Sequence, residues 1–353
     1  MDVNKKYIHI VGVMSGTSLD GVDLVFVKFN KNTYQDFKIL KAETYCYSET
    51  WQSTLQKAID FISKDLQKLD EAYGQFLGGI IVDFIKKNNI AEVDFIASHG
   101  HTILHQPEKG ITLQIGSGKE IAKKTRLKTV CDFRTQDVKL GGQGAPLVPI
   151  GDELLFSNYD YCLNLGGFSN VSFKKNGNRV AFDICPVNIV LNHYVGKLGL
   201  TYDDNGKIAS KASINIRLLK KLNNLPYYAL QPPKSLGLEW VKEFIFPLID
   251  AEEKEVAVIL RTFIEHIAIQ IAAVIKSDSV LITGGGAFNS FLIARIQAVS
   301  NSQFSLPNNQ LIDFKEALLF AFLGLLKVNN QINCLSSVTG ASKNHSSGVI
   351  FNF

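Results

Sequence analysis

Between residues 12 and 23 the chain reads Gly12-Val-Met-Ser-Gly-Thr-Ser-Leu-Asp-Gly-Val-Asp23, a glycine- and hydroxyl-rich turn set between two apolar runs. The preceding run, Tyr7-Ile-His-Ile-Val11, alternates like a buried strand, and Val22-Asp-Leu-Val-Phe-Val-Lys-Phe29 resumes as a second one. Glycines at 12, 16 and 21 suit sharp turning and close approach to a ligand. Ser15, Thr17 and Ser18 add hydroxyls, and Asp20 and Asp23 add carboxylates. Such a hairpin is either a phosphate cradle or an ordinary tight turn, and the remainder of the chain separates the two.

At 353 residues the chain has room for two domains of ordinary size. A hydrophobic content of 46% and a charged content of 20% describe a globular protein with a substantial core. The longest apolar run, Ala317 to Leu326, is too short for a bilayer and fits a buried helix. The N-terminus shows no signal-peptide pattern. Five cysteines without a Cys-x-x-Cys pair suggest reduced thiols and a cytoplasmic setting. The net charge is only +4, and the lysine pairs 123–124, 174–175 and 220–221 read as solvated faces. No basic stripe with interleaved aromatics is present, which argues against nucleic acid as a partner, as the apolar runs argue against a membrane.

Strand-like runs at 7–13, 22–29 and 37–46 predict a meander. A helical region follows over roughly 50–89, with Leu55, Ile59, Ile62, Leu66 and Leu69 at helical spacing. Strands are predicted at 93–97 and 129–133, then a dense glycine loop, Gly141-Gly-Gln-Gly-Ala-Pro146. The second half repeats the opening: strand 161–165, turn Gly166-Gly-Phe-Ser-Asn170, strand 171–173, an Asn176-Gly-Asn178 hairpin and strand 179–182. Helix 255–276 is apolar nearly all round and should be buried. Strand 279–283 ends in Gly284-Gly-Gly286, with a helix from about Asn289. A glycine hairpin between strands thus occurs twice, as expected of two similarly folded lobes.

The ordered motifs resemble the anhydro-N-acetylmuramic acid kinase family, which belongs to the actin-like ATPases whose Gly/Ser/Thr hairpins hold nucleotide phosphates. The resemblance is carried by Gly12–Gly21, Ser98-His-Gly-His-Thr-Ile-Leu-His-Gln-Pro107, Thr112–Gly116, Asp132-Phe-Arg-Thr-Gln-Asp137 and Gly141–Pro149. It continues through Leu163-Asn-Leu-Gly-Gly-Phe-Ser-Asn170, Phe182-Asp183, Pro232-Pro-Lys-Ser235, Thr283–Asn289, Glu316-Ala317 with Phe320-Ala321, and Val338-Thr-Gly-Ala341. The implied fold is α/β, two actin-like (ribonuclease H-like) lobes around a nucleotide and sugar cleft. The expected lobes are 1–134 plus about 315–353, and about 135–314. The implied reaction uses ATP and Mg2+ on 1,6-anhydro-N-acetylmuramic acid, with N-acetylmuramic acid 6-phosphate as product in cell-wall recycling. A homodimer is the family's expected assembly.

The resemblance also implies roles. Asp183 matches the family's catalytic base, although from the residues alone it reads first as a turn aspartate. The hairpin with Gly16, Thr17, Ser18, Asp20, Gly21 and Asp23 is implied to wrap the ATP phosphates. Asp20 is the candidate to hold Mg2+ through water, its alternative being a hairpin aspartate bonding its own backbone. Gly166 and Gly167 form the partner phosphate loop, and Gly284, Gly285 and Gly286 are expected against adenosine. On the sugar side stand Arg134, Asp137, the loop through Gly144, Asn188 and Glu316. Arg134 suits a carboxylate and equally a structural ion pair; Glu316 also satisfies a helix first turn. His99, His101 and His105 cluster, but no cysteine or acid lies at zinc-ligand spacing, so a polar loop role is expected. Lys234 is open between a surface lysine and a phosphate contact.

The chain departs from the family where Ile184-Cys185-Pro186 replaces the usual Thr-Gly-Pro after the aspartate. Cys185 is expected as a packed thiol rather than a nucleophile. The change leaves open two alternatives, a kinase for another amino sugar or a weakly catalytic binding protein of the same fold. The segment Asp204–Ala209 and Leu236 and Leu238 depart as well.

Overall fold

The computed structural model describes residues 5–16, 19–276 and 278–353. Thr17 and Ser18 of the first hairpin therefore lie outside the described residues. The chain divides into two compact units, one running to Leu155 and resuming from Phe314 to Phe353, the other Phe156–Asp313.

The first unit opens with β1 (Tyr7–Ser15), β2 (Gly21–Asn30) and β3 (Phe37–Cys46), an antiparallel meander. After the helix Ser63–Lys87, β4 (Phe95–Ser98) returns parallel to β1. A hairpin of β5 (His101–Gln106) and β6 (Ile111–Ile115) stands apart from the main sheet. Next, β7 (Thr129–Cys131) pairs parallel with β4, and the C-terminal strand Val349–Phe351 closes the far edge antiparallel to β7. The meander's first strand thus takes the next strand in parallel, giving the order β3-β2-β1-β4-β7.

The second unit repeats this order. Its meander is β8 (Tyr161–Leu165), β9 (Phe168–Lys175) and β10 (Asn178–Pro186), and β11 (Ser279–Thr283) and β12 (Gln303–Ser305) add in parallel beyond β8. This shared order is the ribonuclease H-like arrangement expected of an actin-like chain. Asn176 (φ 52°) and Gly177 (φ 84°) turn the β9–β10 hairpin with both central residues left-handed, which is what Asn-Gly favours.

Burial follows the apolar pattern. Ile8, Ile10, Val11 and Val13 of β1 are inaccessible, as expected of a strand covered on both faces. Part of that cover is the helix Asn309–Val328, which lies unusually close. A Cβ on Gly12 would stand 2.2 Å from the Ala317 carbonyl oxygen and 2.9 Å from the Ala321 Cβ. Gly12 is thus a packing glycine in mid-strand, not part of a ligand turn. The helix Val256–Val274 is long and apolar enough to cross a membrane, but two-thirds of its apolar window is buried, with Ile259, Phe263, Ile267 and Ile271 in the second unit's core.

Three expectations change. The predicted helix over 50–89 breaks into Glu49–Lys57, a short turn Ala58–Asp60 and Ser63–Lys87. Ile59 and Ile62 sit at the break and are 62% and 67% exposed, so they are not core positions. The helix expected from Glu316 starts at Asn309 and kinks at Phe314, so Glu316 lies just beyond the kink. Finally, 135–155 belongs with the first unit, because Asp137 there is bonded to Cys334 and Thr339 of the C-terminal segment.

Candidate active site

In the first unit, β1 ends at Ser15, immediately before the hairpin glycine Gly16. Ser15 Oγ is hydrogen-bonded to Tyr47 Oη (2.6 Å) and to His101 Nδ1 (2.8 Å), and Tyr47 is bonded in turn to Tyr73. All are buried. This chain fastens the root of the hairpin to the β5–β6 hairpin and to the helix Ser63–Lys87. Burial pushes the His101 imidazole down to about 4, so it acts as a neutral hydrogen-bonding group. Beyond the root, Asp20 is exposed, and Asp23 accepts a hydrogen bond from the Thr44 hydroxyl (2.6 Å). Gly21 is buried against Tyr45 at the start of β2.

Arg134 is mounted by two neighbours. Its Nε donates to His99 Nε2 (3.0 Å) and its Nη1 to the Gly144 carbonyl (2.6 Å). The Nδ1–H of His99 donates to the Gly100 carbonyl (2.9 Å), which fixes the tautomer that accepts from Arg134. Burial, reinforced by the guanidinium, holds His99 well below the usual histidine range. Burial also lowers Arg134 to about 10, with Glu316 opposing, and the arginine stays cationic at neutral pH. Glu316 is exposed, and desolvation raises its carboxyl while Arg134 pulls it down. The arginine and the carboxylate stand on separate elements, and each feels the charge of the other.

Asp137, expected on the sugar side, is engaged within the protein. Its side chain is fully buried and accepts from Gly144 N (2.7 Å), Thr339 Oγ1 (2.7 Å) and Cys334 Sγ (3.0 Å). It shapes the Gly141–Gly144 loop, which in turn holds Arg134. His105 is hydrogen-bonded to Thr112 at an exposed position, so the three histidines do not converge on one centre.

In the second unit, Asp183 lies near the end of β10, beside a register shift between Asp183 and Cys185. Leu236 N donates to Asp183 Oδ2 (2.9 Å), and Tyr227 Oη donates to its carbonyl (2.7 Å). Asp183 Oδ1 has no protein hydrogen-bond partner among the described residues. Burial raises the carboxyl above the ordinary aspartate range, against the Leu236 hydrogen bond. Lys234 donates to the Tyr227 carbonyl (3.3 Å) and lies over the Tyr227 ring, so it packs beside this aspartate rather than on an open surface.

The glycine segments converge. Val187 N and Ile189 N donate to the Gly167 carbonyl, binding the Gly166-Gly167 turn to the start of the helix Asn188–Gly196. Gly284, with φ 82°, leaves no room for a side chain, since a Cβ would meet the Leu165 carbonyl carbon at 2.8 Å. The Gly284–Gly286 turn thus presses against the strand end that leads into Gly166. Asn188 donates to the Leu165 carbonyl (3.3 Å) and lies with Gly285 in the wall of a cavity of about 450 Å3. Asn188, expected on the sugar side, accordingly stands beside the glycine turns of this unit. Leu260, Ile264 and Phe288 give the cavity an apolar wall, and Asn192, Asn205 and Asn289 give polar groups. The volume and mixed lining suit a nucleoside. The sequence offered no signal for Leu260 or Phe288, because each reads as ordinary core or turn.

The residues after Asp183 are packed inside. Ile184 is 2% exposed and Cys185 is inaccessible. Ser169 Oγ bonds the Cys185 backbone and contacts its thiol (3.2 Å), and burial pushes that thiol up to about 12. A thiol so protonated is no nucleophile. Cys185→Ala is expected to keep turnover within about threefold while costing roughly 1–2 kcal/mol of stability. Steady-state rates and thermal unfolding check both halves, and a collapse in turnover with an intact fold would restore a chemical role.

The family model described as anhydro-N-acetylmuramic acid kinase matches residues 8–353. A Haemophilus influenzae protein of that name is 34% identical, with 99% of this chain and 99% of its own length covered. Proteins of the same name from Shewanella denitrificans and Aliivibrio fischeri are also 34% identical, covering 95% and 98% of this chain and 96% and 99% of their own. Matches from end to end at this identity leave one assignment: the chain belongs to the anhydro-N-acetylmuramic acid kinase family.

Proposed function

We propose that this chain is an ATP-dependent kinase that opens 1,6-anhydro-N-acetylmuramic acid with water and phosphorylates the freed O6. The observation that carries the phosphotransfer half is the glycine-walled cavity of the second unit. There Gly285 and Asn188 border an apolar slot of nucleoside size, and the Gly166-Gly167 turn lies at the adjoining strand end. Backbone N–H groups on such turns hold phosphate oxygens without side chains in the way.

Asp183 serves the hydrolytic half. The oxygen engaged by Leu236 N–H fixes the carboxylate, and Oδ1 remains to take a proton from water. As the water oxygen attacks the anomeric carbon, the C1–O6 bond breaks and its electron pair goes to O6. That oxygen attacks the γ-phosphorus, and ADP departs. A base raised towards the working pH is stronger than an ordinary aspartate. Arg134, cationic at neutral pH and positioned by His99 and the Gly144 carbonyl, is assigned to the substrate carboxylate, and Glu316 to a sugar hydroxyl. The exposed carboxylate of Asp20 is a hard oxygen donor that fits Mg2+ held through water. When bound, that ion neutralises charge on the nucleotide phosphates.

The buried state of Ile184 and Cys185 argues against the binding-protein alternative, since the departure from the family falls on packing. The test mixes the protein with ATP, Mg2+ and 1,6-anhydro-N-acetylmuramic acid and reads product mass. A gain of both water and phosphate is expected. Phosphate without water would replace this reading with a plain sugar kinase, and saturable sugar binding without product would replace it with a binding protein.

A further inference from the structure

The first unit contains a second constellation, remote in sequence from every glycine hairpin. Cys334 and His345 form an isolated antiparallel bridge. Cys334 N donates to the His345 carbonyl (3.1 Å) and His345 N to the Cys334 carbonyl (3.2 Å). Residues so paired stand directly opposite and project to the same side of the ladder. Both side chains meet Asp137. Cys334 Sγ lies 3.0 Å and His345 Nε2 3.6 Å from the same oxygen, Oδ1, and the three ligand atoms lie within 4.8 Å of one another. Asp137 is inaccessible, Cys334 is 1% exposed and His345 6%.

His345 Nε2 is the atom left unexplained. Its ring Nδ1 faces the Lys343 carbonyl (3.1 Å), so Nδ1 is the donating nitrogen there and Nε2 is the one turned to Asp137. Nε2 is buried without a hydrogen-bond partner, 3.6 Å from a carboxylate oxygen. A buried ring nitrogen left unpaired beside a carboxylate and a thiol is an arrangement that a bound cation would complete. A histidine that donates one ring N–H to a backbone carbonyl and presents the other nitrogen to a thiol and a carboxylate has the arrangement of a metal ligand with its outer support in place.

We propose that Asp137 Oδ1, Cys334 Sγ and His345 Nε2 form a zinc site, with the Thr339 hydroxyl donating to Asp137 as outer support. Zinc bonds of about 2.0–2.3 Å set tetrahedral ligand separations of roughly 3.3–3.6 Å. The separations of Sγ (3.0 Å) and Nε2 (3.6 Å) from Oδ1 lie close to that range. A thiolate and an imidazole select zinc or cobalt over magnesium, so this site is distinct from any Mg2+ held at Asp20. On binding, the S–H bond of Cys334 breaks, its proton leaves to solvent and an S–Zn bond forms. Zinc at this point ties the C-terminal segment to the Gly141–Gly144 loop, where Gln143 N already donates to the Thr339 carbonyl (2.8 Å).

The test is cobalt titration of the full-length protein after chelation, with zinc as competitor. Expected is an equimolar near-ultraviolet thiolate-to-cobalt band with intense visible bands of tetrahedral cobalt, bleached by zinc. A rise of a few degrees in Tm with zinc should accompany it. Cys334→Ser should abolish the thiolate band, His345→Gln should weaken binding at least tenfold, and Cys46→Ser, at an exposed free cysteine, should change neither. If the variants fold poorly, the wild-type titration decides alone. Absence of the band in wild type would overturn the site and leave a hydrogen-bonded cluster around Asp137. A band that survives in Cys334→Ser would overturn it too, by assigning the metal to another thiol.

Discussion

Asp183→Asn is expected to lower kcat by roughly 100- to 10,000-fold, the usual contribution of a positioned general base, with ATP affinity unchanged. The amide oxygen still accepts from Leu236 N–H, so the fold around β10 should survive. Stability gives a second reading with a definite sign. Burial raises the Asp183 carboxyl in the folded chain, which favours its protonated form there. A raised carboxyl costs stability as pH climbs through the folded value, so the neutral amide should leave Tm at neutral pH equal or higher. The same shift governs the rate. Activity needs the ionised base, so the acid limb of kcat/KM should lie above the ordinary aspartate value of about 3.9. The measurements are ATP binding by calorimetry, turnover against pH and thermal unfolding. Near-normal turnover in Asp183→Asn, or an acid limb that persists unchanged in it, would remove the residue from the chemistry.

Gly12→Ala is expected to damage the fold rather than nucleotide binding. The added methyl would stand 2.2 Å from the Ala317 carbonyl oxygen and 2.9 Å from the Ala321 Cβ. The oxygen is backbone in a buried helix, so relief requires helix and sheet to separate. Overpacking of this kind costs typically 1–3 kcal/mol, and a clash with backbone belongs at or above the upper end, about 3 kcal/mol. At about 2–4 °C per kcal/mol, Tm should fall by roughly 6–12 °C. The KM for ATP of the folded enzyme should stay near wild type. Were Tm unchanged and the KM for ATP raised, Gly12 would belong to the phosphate loop after all.

That contrast shows what local pattern can convey. The residues 12–23 mark a hairpin between buried strands, because alternation and turn residues act within a few positions of one another. The Asn176-Gly177 turn, both meanders and the helix cap at Asn289, which accepts from Leu292 N, follow from the same local rules. Local pattern does not tell a glycine that turns from one that lets a helix lie close, since the second role depends on Ala317 and Ala321. The three histidines show the same limit. They are adjacent in sequence, yet the strand-to-hairpin geometry sends His99 to Arg134, His101 to Ser15 and His105 to Thr112.

By itself, the sequence determined the repeated strand–hairpin–strand pattern, the glycine hairpins and the family with its expected chemistry, because these reside in contiguous motifs. Tertiary structure alone decided that Asp137 is an internal hub, that Asn188 lies beside Gly285, and that Ile184 packs into the core. It also brought Cys334 to Asp137 across 197 positions of chain. The physical reason is range. Backbone preference and side-chain period act over one or two turns, whereas burial, hydrogen-bond partners and ligand convergence exist only once packed elements bring distant residues to the same point.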